Sequence, residues 1–336
     1  MKVLVTADID KRIEKEFPEL EFHYMGYAIE PYIPSTHEEI KKAITDYDFL
    51  ISEFDTIDKD IIDAASKLKM IICCRGGVHT VIDVAYATQK GILVKNTPAR
   101  NASSVAEYVL GVIFSADRNL YQANSLVLSD TLQKEHFVLP DKYRDSLWGM
   151  DSNSPYHVFR GKGMHNFTLG VIGYGNVGRV VVKDAVLLGI HVLVYNHHPI
   201  LSPIPAGVEV VDKDYLLNNS DFISLHCNNR NHQVVIGENE LSRMKKGAYF
   251  INTARGDLVD ENALIKYLNN MHLKGAALDV TKKEPLPPNS PLIKAKNIFI
   301  TPHIAGAADE VIETGTDMAI YHLRDYLDDT LGEDYE

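Results

Sequence analysis

The sequence predicts two α/β domains, each a doubly wound parallel sheet wrapped by helices. Three observations carry that expectation. Short apolar runs alternate with helix-like patterns along most of the chain, as parallel strands joined by crossover helices require. The alternation falls into two separate series. A chain of 336 residues is also too long for one typical domain.

In the first series, runs at 2–7, 49–52, 70–74 and 92–95 read as short buried strands, with helical patterns at 37–44 and 58–65 between them. The segment Asn96-Thr97-Pro98-Ala99-Arg100 reads as a turn or linker, because Pro98 disfavours helix for Thr97. Residues 102–119 are apolar-rich and predict one long helix. Residues 129–167, which include Pro140, Trp148 and Pro155, predict a long polar surface excursion. The second series runs through 168–172, 191–195, 208–211, 222–226, 248–252, 275–278 and 298–301. That is enough strands for a complete doubly wound sheet. The tail at 307–327 is helical again. Packed on the first series, it would make the small domain discontinuous. The expected division is a smaller, flavodoxin-like domain at 1–100 and 304–336, with a larger Rossmann-type domain at 101–303 inserted into it.

Composition narrows the function classes. Hydrophobic residues make up 45% and charged residues 24%, ordinary for a soluble globular chain. The net charge of -12 would repel phosphate backbones and argues against a nucleic-acid partner. It suits a cytoplasmic protein. Three cysteines, Cys73, Cys74 and Cys227, are an odd number without metal-ligand spacing. They argue against a disulfide framework and a metal site, and point to free thiols in a reducing compartment. No apolar run is long enough to span a membrane, and the first residues read as a strand ending at Asp8 rather than as a signal peptide.

Gly173-Tyr174-Gly175-Asn176-Val177-Gly178 is a GxGxxG that follows a strand pattern, opens a helical run at 179–188 and is followed by a second strand pattern. In that context it is a dinucleotide fingerprint. The glycines allow a tight turn and close backbone approach, and the helix amino terminus offers N–H groups to a pyrophosphate. At the end of the next strand, where a carboxylate would favour NAD, stands Asn196, followed by His197 and His198. An amide accepts a ribose hydroxyl without repelling a 2′-phosphate. Both NAD and NADP therefore stay open. The histidines read equally well as cofactor contacts and as a solvated turn.

Four further segments fall at expected strand ends, where ligands bind in open α/β sheets. They are Asn252-Thr253-Ala254-Arg255-Gly256, Ala277-Leu278-Asp279-Val280, Glu284-Pro285 and Thr301-Pro302-His303-Ile304-Ala305-Gly306. Singly, each polar residue has a plain reading as a core histidine, a loop carboxylate or a surface arginine. Together, and with Cys74-Arg75-Gly76-Gly77 and the 96–107 segment, the chain resembles the D-isomer-specific 2-hydroxyacid dehydrogenases over nearly its whole length. That family spans phosphoglycerate, glycerate, lactate and formate dehydrogenases and glyoxylate/hydroxypyruvate reductases.

The resemblance implies hydride transfer between a nicotinamide cofactor and a small 2-keto or D-2-hydroxy acid, with 101–303 as the NAD(P)-binding domain and 1–100 with 304–336 as the substrate-binding one. It makes His303 the acid/base, Glu284 its partner and Arg255 the charged fork for the substrate carboxylate. It implies that Gly76, Gly77 and Val78 present backbone N–H groups to that carboxylate. Arg75 either adds charge for a second anionic group or pairs with an acid. Thr253 and Ala254 would flank the nicotinamide, Asp279 would accept from its carboxamide or cap a strand end, and Cys227 would lie near the adenosine. Asn228 departs from the family's usual proline. The family is usually homodimeric. A dinucleotide-sensing or corepressor-like protein is the alternative on the same fold, and the formate dehydrogenase branch a third.

Overall fold

The structure, a computed structural model, describes residues 1–129, 154–228 and 233–333. Its contacts divide the chain into two compact units, Met1–Asn101 with Ala307–Glu336, and Ala102–Gly306.

The smaller unit is built on β1 (Lys2–Val5), β2 (Glu21–Tyr24), β3 (Phe49–Ser52), β4 (Met70–Cys73) and β5 (Leu93–Asn96). All pairings are parallel and the order is β2-β1-β3-β4-β5, the flavodoxin-like arrangement. Strands β3 and β4 are buried along their whole length, as a sheet covered on both faces requires. One face packs Ile40, Ile61 and Ile62 from the helices His37–Ala43 and Lys59–Ala64. The other packs Ile13 and Phe17 with Ala319 and Leu323 of the carboxyl-terminal helix Asp309–Glu333. The helices start where short polar side chains can satisfy their free N–H groups. Thr36 forms a capping box with Glu39, and Asp58 accepts from Ile61 N.

The larger unit carries seven strands: β6 (Thr168–Ile172), β7 (His191–Tyr195), β8 (Val208–Val210), β9 (Phe222–Leu225), β10 (Tyr249–Asn252), β11 (Gly275–Leu278) and β12 (Ile298–Ile300). The order β12-β11-β10-β9-β6-β7-β8 is the Rossmann order with one strand added, again all parallel. The helices Ala102–Asp117 and Asn176–Leu187 pack together on one face through Val105, Val109, Ile113, Val181 and Ala185. Leu216, Leu241, Leu264 and Leu268 cover the other face.

Most strands lie within a residue or two of their expected limits. Strand β2 is an exception, absent from the expectation. It is a half-exposed edge strand reading Glu-Phe-His-Tyr, so it has no apolar run to announce it. The helix expected at 102–119 ends at Asp117, and a second, Leu120–Leu128, follows after Asn119 turns into the left-handed region at φ 51°. The buried carboxylate of Asp117 accepts from the backbone N–H groups of Lys162 and Gly163, at 2.9 and 3.1 Å, and so fixes the chain's return to β6. Of the expected excursion at 129–167, residues 130–153 lie outside the described residues, and Pro155–Val158 is a short helix. Among the described residues no helix is long and apolar enough to cross a membrane.

Candidate active site

The glycine turn lies between β6 and the helix Asn176–Leu187, and its three glycines have three different causes. Gly173 sits at φ 101°, and a Cβ there would come within 2.7 Å of the His226 backbone. At Gly178 a Cβ would meet the Gly173 carbonyl oxygen at 2.1 Å, so helix and turn touch only because it has none. Gly175 is exposed, and a Cβ there would meet nothing within 4 Å. Its bareness serves nothing inside the chain and leaves an open cradle beside a twelve-residue helix amino terminus. Asn176 and Val177 form the first turn of that helix. Arg179 folds back over it, donating to Asn176 Oδ1 at 2.7 Å and to the Gly175 carbonyl at 3.3 Å. That exposed cation at the cradle was not singled out from sequence, although it directly follows the motif.

Beneath the turn, His226 lies 2.8 Å from Ser224 Oγ through Nε2, and burial pushes its imidazole down to about 4. The half-buried Cys227 thiol is pushed up, chiefly by burial. At the end of β7, Asn196 spends both ends of its amide on the chain. It accepts from Tyr174 N at 2.9 Å and donates to the His198 carbonyl at 2.8 Å. It thus ties the glycine turn to the next one. His197 and His198 are exposed, with ring centroids 4.9 Å apart.

Arg255, Glu284 and His303 follow three adjacent strands, β10, β11 and β12, at their carboxyl ends. His303 Nδ1 and Glu284 Oε2 are 2.8 Å apart, and Glu284 Oε1 accepts from Thr281 N at 3.1 Å. A carboxylate can only accept, so Nδ1 carries a proton. Nε2 has no hydrogen-bond partner among the described residues and is left for a ligand. His303 itself stands at φ 58°, an uncommon conformation for a residue with a side chain.

The exposed Arg255 is set by Asn252, which is 1% exposed, accepts from Ala254 N at 3.0 Å and donates to the Arg255 carbonyl at 2.8 Å. Next to it, Gly256 lies so close to Thr281 that a Cβ would come within 2.0 Å of its carbonyl carbon. The turn bearing Arg255 and the turn bearing Glu284 therefore rest on each other. Beside them the Thr253 hydroxyl is buried without a partner among the described residues. Such an orphaned group and the open cradle at Gly175 fit a bound dinucleotide.

Asp279 is 2% exposed, and its carboxylate already takes three internal bonds, from Thr301 Oγ1, Ile304 N and Ala305 N. Asp279 is marked in the sequence as a site residue, whereas nothing there marks Asn252, Gly256, Thr281 or Thr301 as supports. Arg75, Gly76, Gly77 and Val78 belong to the smaller unit, directly after β4. Gly76 and Gly77 are exposed with open space around them, and Asn96 Nδ2 holds the loop by donating to the Gly76 carbonyl at 2.8 Å. Arg75 lies over the Phe54 ring at 5.4 Å.

The family model for the D-isomer specific 2-hydroxyacid dehydrogenase NAD binding domain matches residues 126–305. A glyoxylate reductase of Thermofilum pendens is 35% identical over 295 residues, covering 86% of this chain and 81% of that protein. The chain belongs to the D-isomer specific 2-hydroxyacid dehydrogenase family. A D-3-phosphoglycerate dehydrogenase of Archaeoglobus fulgidus is 34% identical over 318 residues, 92% of this chain but 54% of that longer protein. Among solved structures, an acyclic imino acid reductase in complex with NADPH and D-Arg superposes with a TM-score of 0.76 at 26% identity, covering 98% of each chain.

Proposed function

We propose that the protein interconverts a small 2-keto acid and the corresponding D-2-hydroxy acid with a nicotinamide dinucleotide. The observation that carries this reading is the His303 Nδ1–Glu284 Oε2 contact of 2.8 Å, with Nε2 left unpartnered among the described residues. The bound dinucleotide supplies or takes the hydride at C2. The chain's own residues handle the proton and the charge. His303 gives a proton from Nε2 to the carbonyl oxygen during reduction, and takes it back during oxidation. Glu284 holds the ring in one orientation by accepting from its Nδ1. Arg255 offers two parallel N–H groups to the substrate carboxylate, and the backbone of Gly76, Gly77 and Val78 adds uncharged donors. Arg75 selects for a second anionic group.

Gly173, Gly175, Asn176, Val177 and Gly178 hold the pyrophosphate, with Cys227, Asn196 and His197 at the adenosine end and Thr253, Ala254 and Asp279 at the nicotinamide. NADP is accepted beside NAD, since no carboxylate stands at the end of β7 to repel a 2′-phosphate. The similar imino acid reductase is an NADPH complex, which supports this reading. The larger unit is then the cofactor domain and the smaller one the substrate domain. The protein works as a homodimer in the cytoplasm, where its free cysteines stay reduced.

The test is a panel of 2-keto acids assayed with NADH and NADPH on the wild type, His303→Ala and Arg255→Ala. Turnover of at least one acid is expected. His303→Ala should lower kcat by roughly 10²–10⁴ with dinucleotide binding intact, and Arg255→Ala should raise KM as well. Near-normal turnover by His303→Ala would remove the acid/base assignment. No turnover of any acid with either cofactor would favour a dinucleotide-sensing role.

A further inference from the structure

His303 is held in the left-handed region, uncommon for any residue with a side chain, and the bonds around it supply the constraint. They converge on Asp279. The backbone N–H of His303 donates to the Asp279 carbonyl at 2.9 Å. The next two N–H groups, of Ile304 and Ala305, donate to the Asp279 carboxylate at 2.8 and 2.9 Å. On the other side of His303, Thr301 Oγ1 lies 2.6 Å from Asp279 Oδ1. The chain of contacts continues beyond Thr301. Its hydroxyl lies 2.5 Å from Tyr108 Oη, on the helix Ala102–Asp117.

Proton counting gives this chain a single direction. The carboxylate can only accept, so Thr301 gives it the one proton it has. The Thr301 oxygen then has lone pairs left, and Tyr108 must be the donor. Burial and the nearby Asp279 charge raise the Tyr108 phenol, with the Thr301 contact opposing them, so at neutral pH the phenol has its proton to give.

We propose that Tyr108 and Thr301 are positioning residues for His303, acting through Asp279 to hold the 301–305 turn in the conformation that proton transfer needs. The inference rests on the reading of His303 as the acid/base. Neither side chain needs to touch substrate or cofactor. Tyr108 polarises the Thr301 hydroxyl, which shares Asp279 Oδ1 with the Ile304 N–H, while the Ala305 N–H holds Oδ2. Such linked bonds act as a unit, so removing either outer member should have nearly the same effect as removing both.

The experiment compares Tyr108→Phe, Thr301→Val, Thr301→Ser and the Tyr108→Phe/Thr301→Val pair with the wild type. His303→Ala serves as the control on the underlying reading. Two readouts are used: steady-state kinetics on the best keto acid, and hydrogen exchange of the Ile304 and Ala305 amides in the protein without cofactor. Tyr108→Phe and Thr301→Val should each lower kcat by about tenfold, a factor in keeping with one lost hydrogen bond near a charge. KM should stay within about twofold, and both amides should exchange faster. Thr301→Ser keeps the hydroxyl and should restore both readouts, and the pair should be no worse than Thr301→Val alone. The proposal is overturned if the two single variants keep kcat and amide protection. It is equally overturned if their effects multiply, or if Thr301→Ser behaves as Thr301→Val. Normal turnover in His303→Ala would instead remove the reading beneath it, and the amide exchange would still report whether the turn is held as described.

Discussion

The contrast between Gly175 and Gly178 separates what the glycine turn does for the fold from what it does for a ligand. In Gly178→Ala the new methyl would meet the Gly173 carbonyl oxygen at 2.1 Å, backbone against backbone, with no flexible side chain to yield. Overpacking of this kind costs about 1–3 kcal/mol. For a unit of this size each kcal/mol lowers Tm by roughly 2–4 °C, so a loss of about 2–12 °C is expected. In Gly175→Ala the methyl meets nothing within 4 Å, and φ is -84°, open to any residue. Loss of glycine's freedom in the unfolded chain should leave Tm unchanged or raise it, by an effect of about 0.4–1 kcal/mol. The same methyl stands in the cradle, where a phosphate must approach the backbone, so dinucleotide Kd should rise by at least roughly tenfold, or ~1.4 kcal/mol. Thermal scans without cofactor and fluorescence titration with NADH and NADPH give both quantities. If Gly175→Ala binds either dinucleotide as the wild type does, the cradle is not where the pyrophosphate sits. If it melts as early as Gly178→Ala, the geometric distinction is wrong.

Two other expectations concern acid and assembly. With its imidazole lowered from an ordinary 6.5 to about 4, His226 stays neutral in the fold while the unfolded chain takes up a proton first. Stability should therefore fall as pH drops from about 6.5 towards 4, by up to about 2.5 kcal/mol at pH 4.5, and the effect should vanish above 6.5. Urea unfolding across that range should show a smaller loss for His226→Gln, and parallel curves for the two proteins would refute it. A homodimer is expected to form through the apolar surface around Leu120, Tyr121, Val127 and Leu128, all exposed, beside a groove of about 270 Å³ lined by Tyr108, Val112 and Phe299. Sedimentation should find a dimer that Leu128→Asp weakens, and a monomeric wild type would end that reading.

The parts of the fold legible in the sequence are those whose signal is local. Buried parallel strands such as β3, β6 and β10 announce themselves as continuous apolar runs bounded by turn residues. The edge strand β2 does not, because half its surface faces water. The site divides in the same way. The glycine turn and the three polar residues at strand ends could be named, since motif and spacing mark them. The residues that hold them could not. Asn252 reads as the last residue of a strand until its amide is seen closing around Arg255. Gly256 has no motif to explain it, and only its approach to Thr281 does so. Thr301 and Tyr108 are 193 positions apart. Asn196 stands at the position where a ribose contact is expected, and nothing in a linear reading shows that its amide is bonded at both ends to the chain.

The strand order sets a ruler. Asn196 leaves β7 and His303 follows β12, five places away along the sheet. At about 4.8 Å per strand, the two ends are roughly 24 Å apart. That span is fixed by how many strands lie between, and not by the length of any loop. Insertions in the connecting loops can lengthen the chain without changing it, whereas the loss of β9 or β10 would shorten it by one rung. The two ends are also trimmed separately. Tyr174, Asn196 and His198 are tied together at one, and Asp279, Thr301 and Ala305 at the other. A sheet of this kind can exchange its grip on one end of a long ligand while the distance to the other end stays as it was.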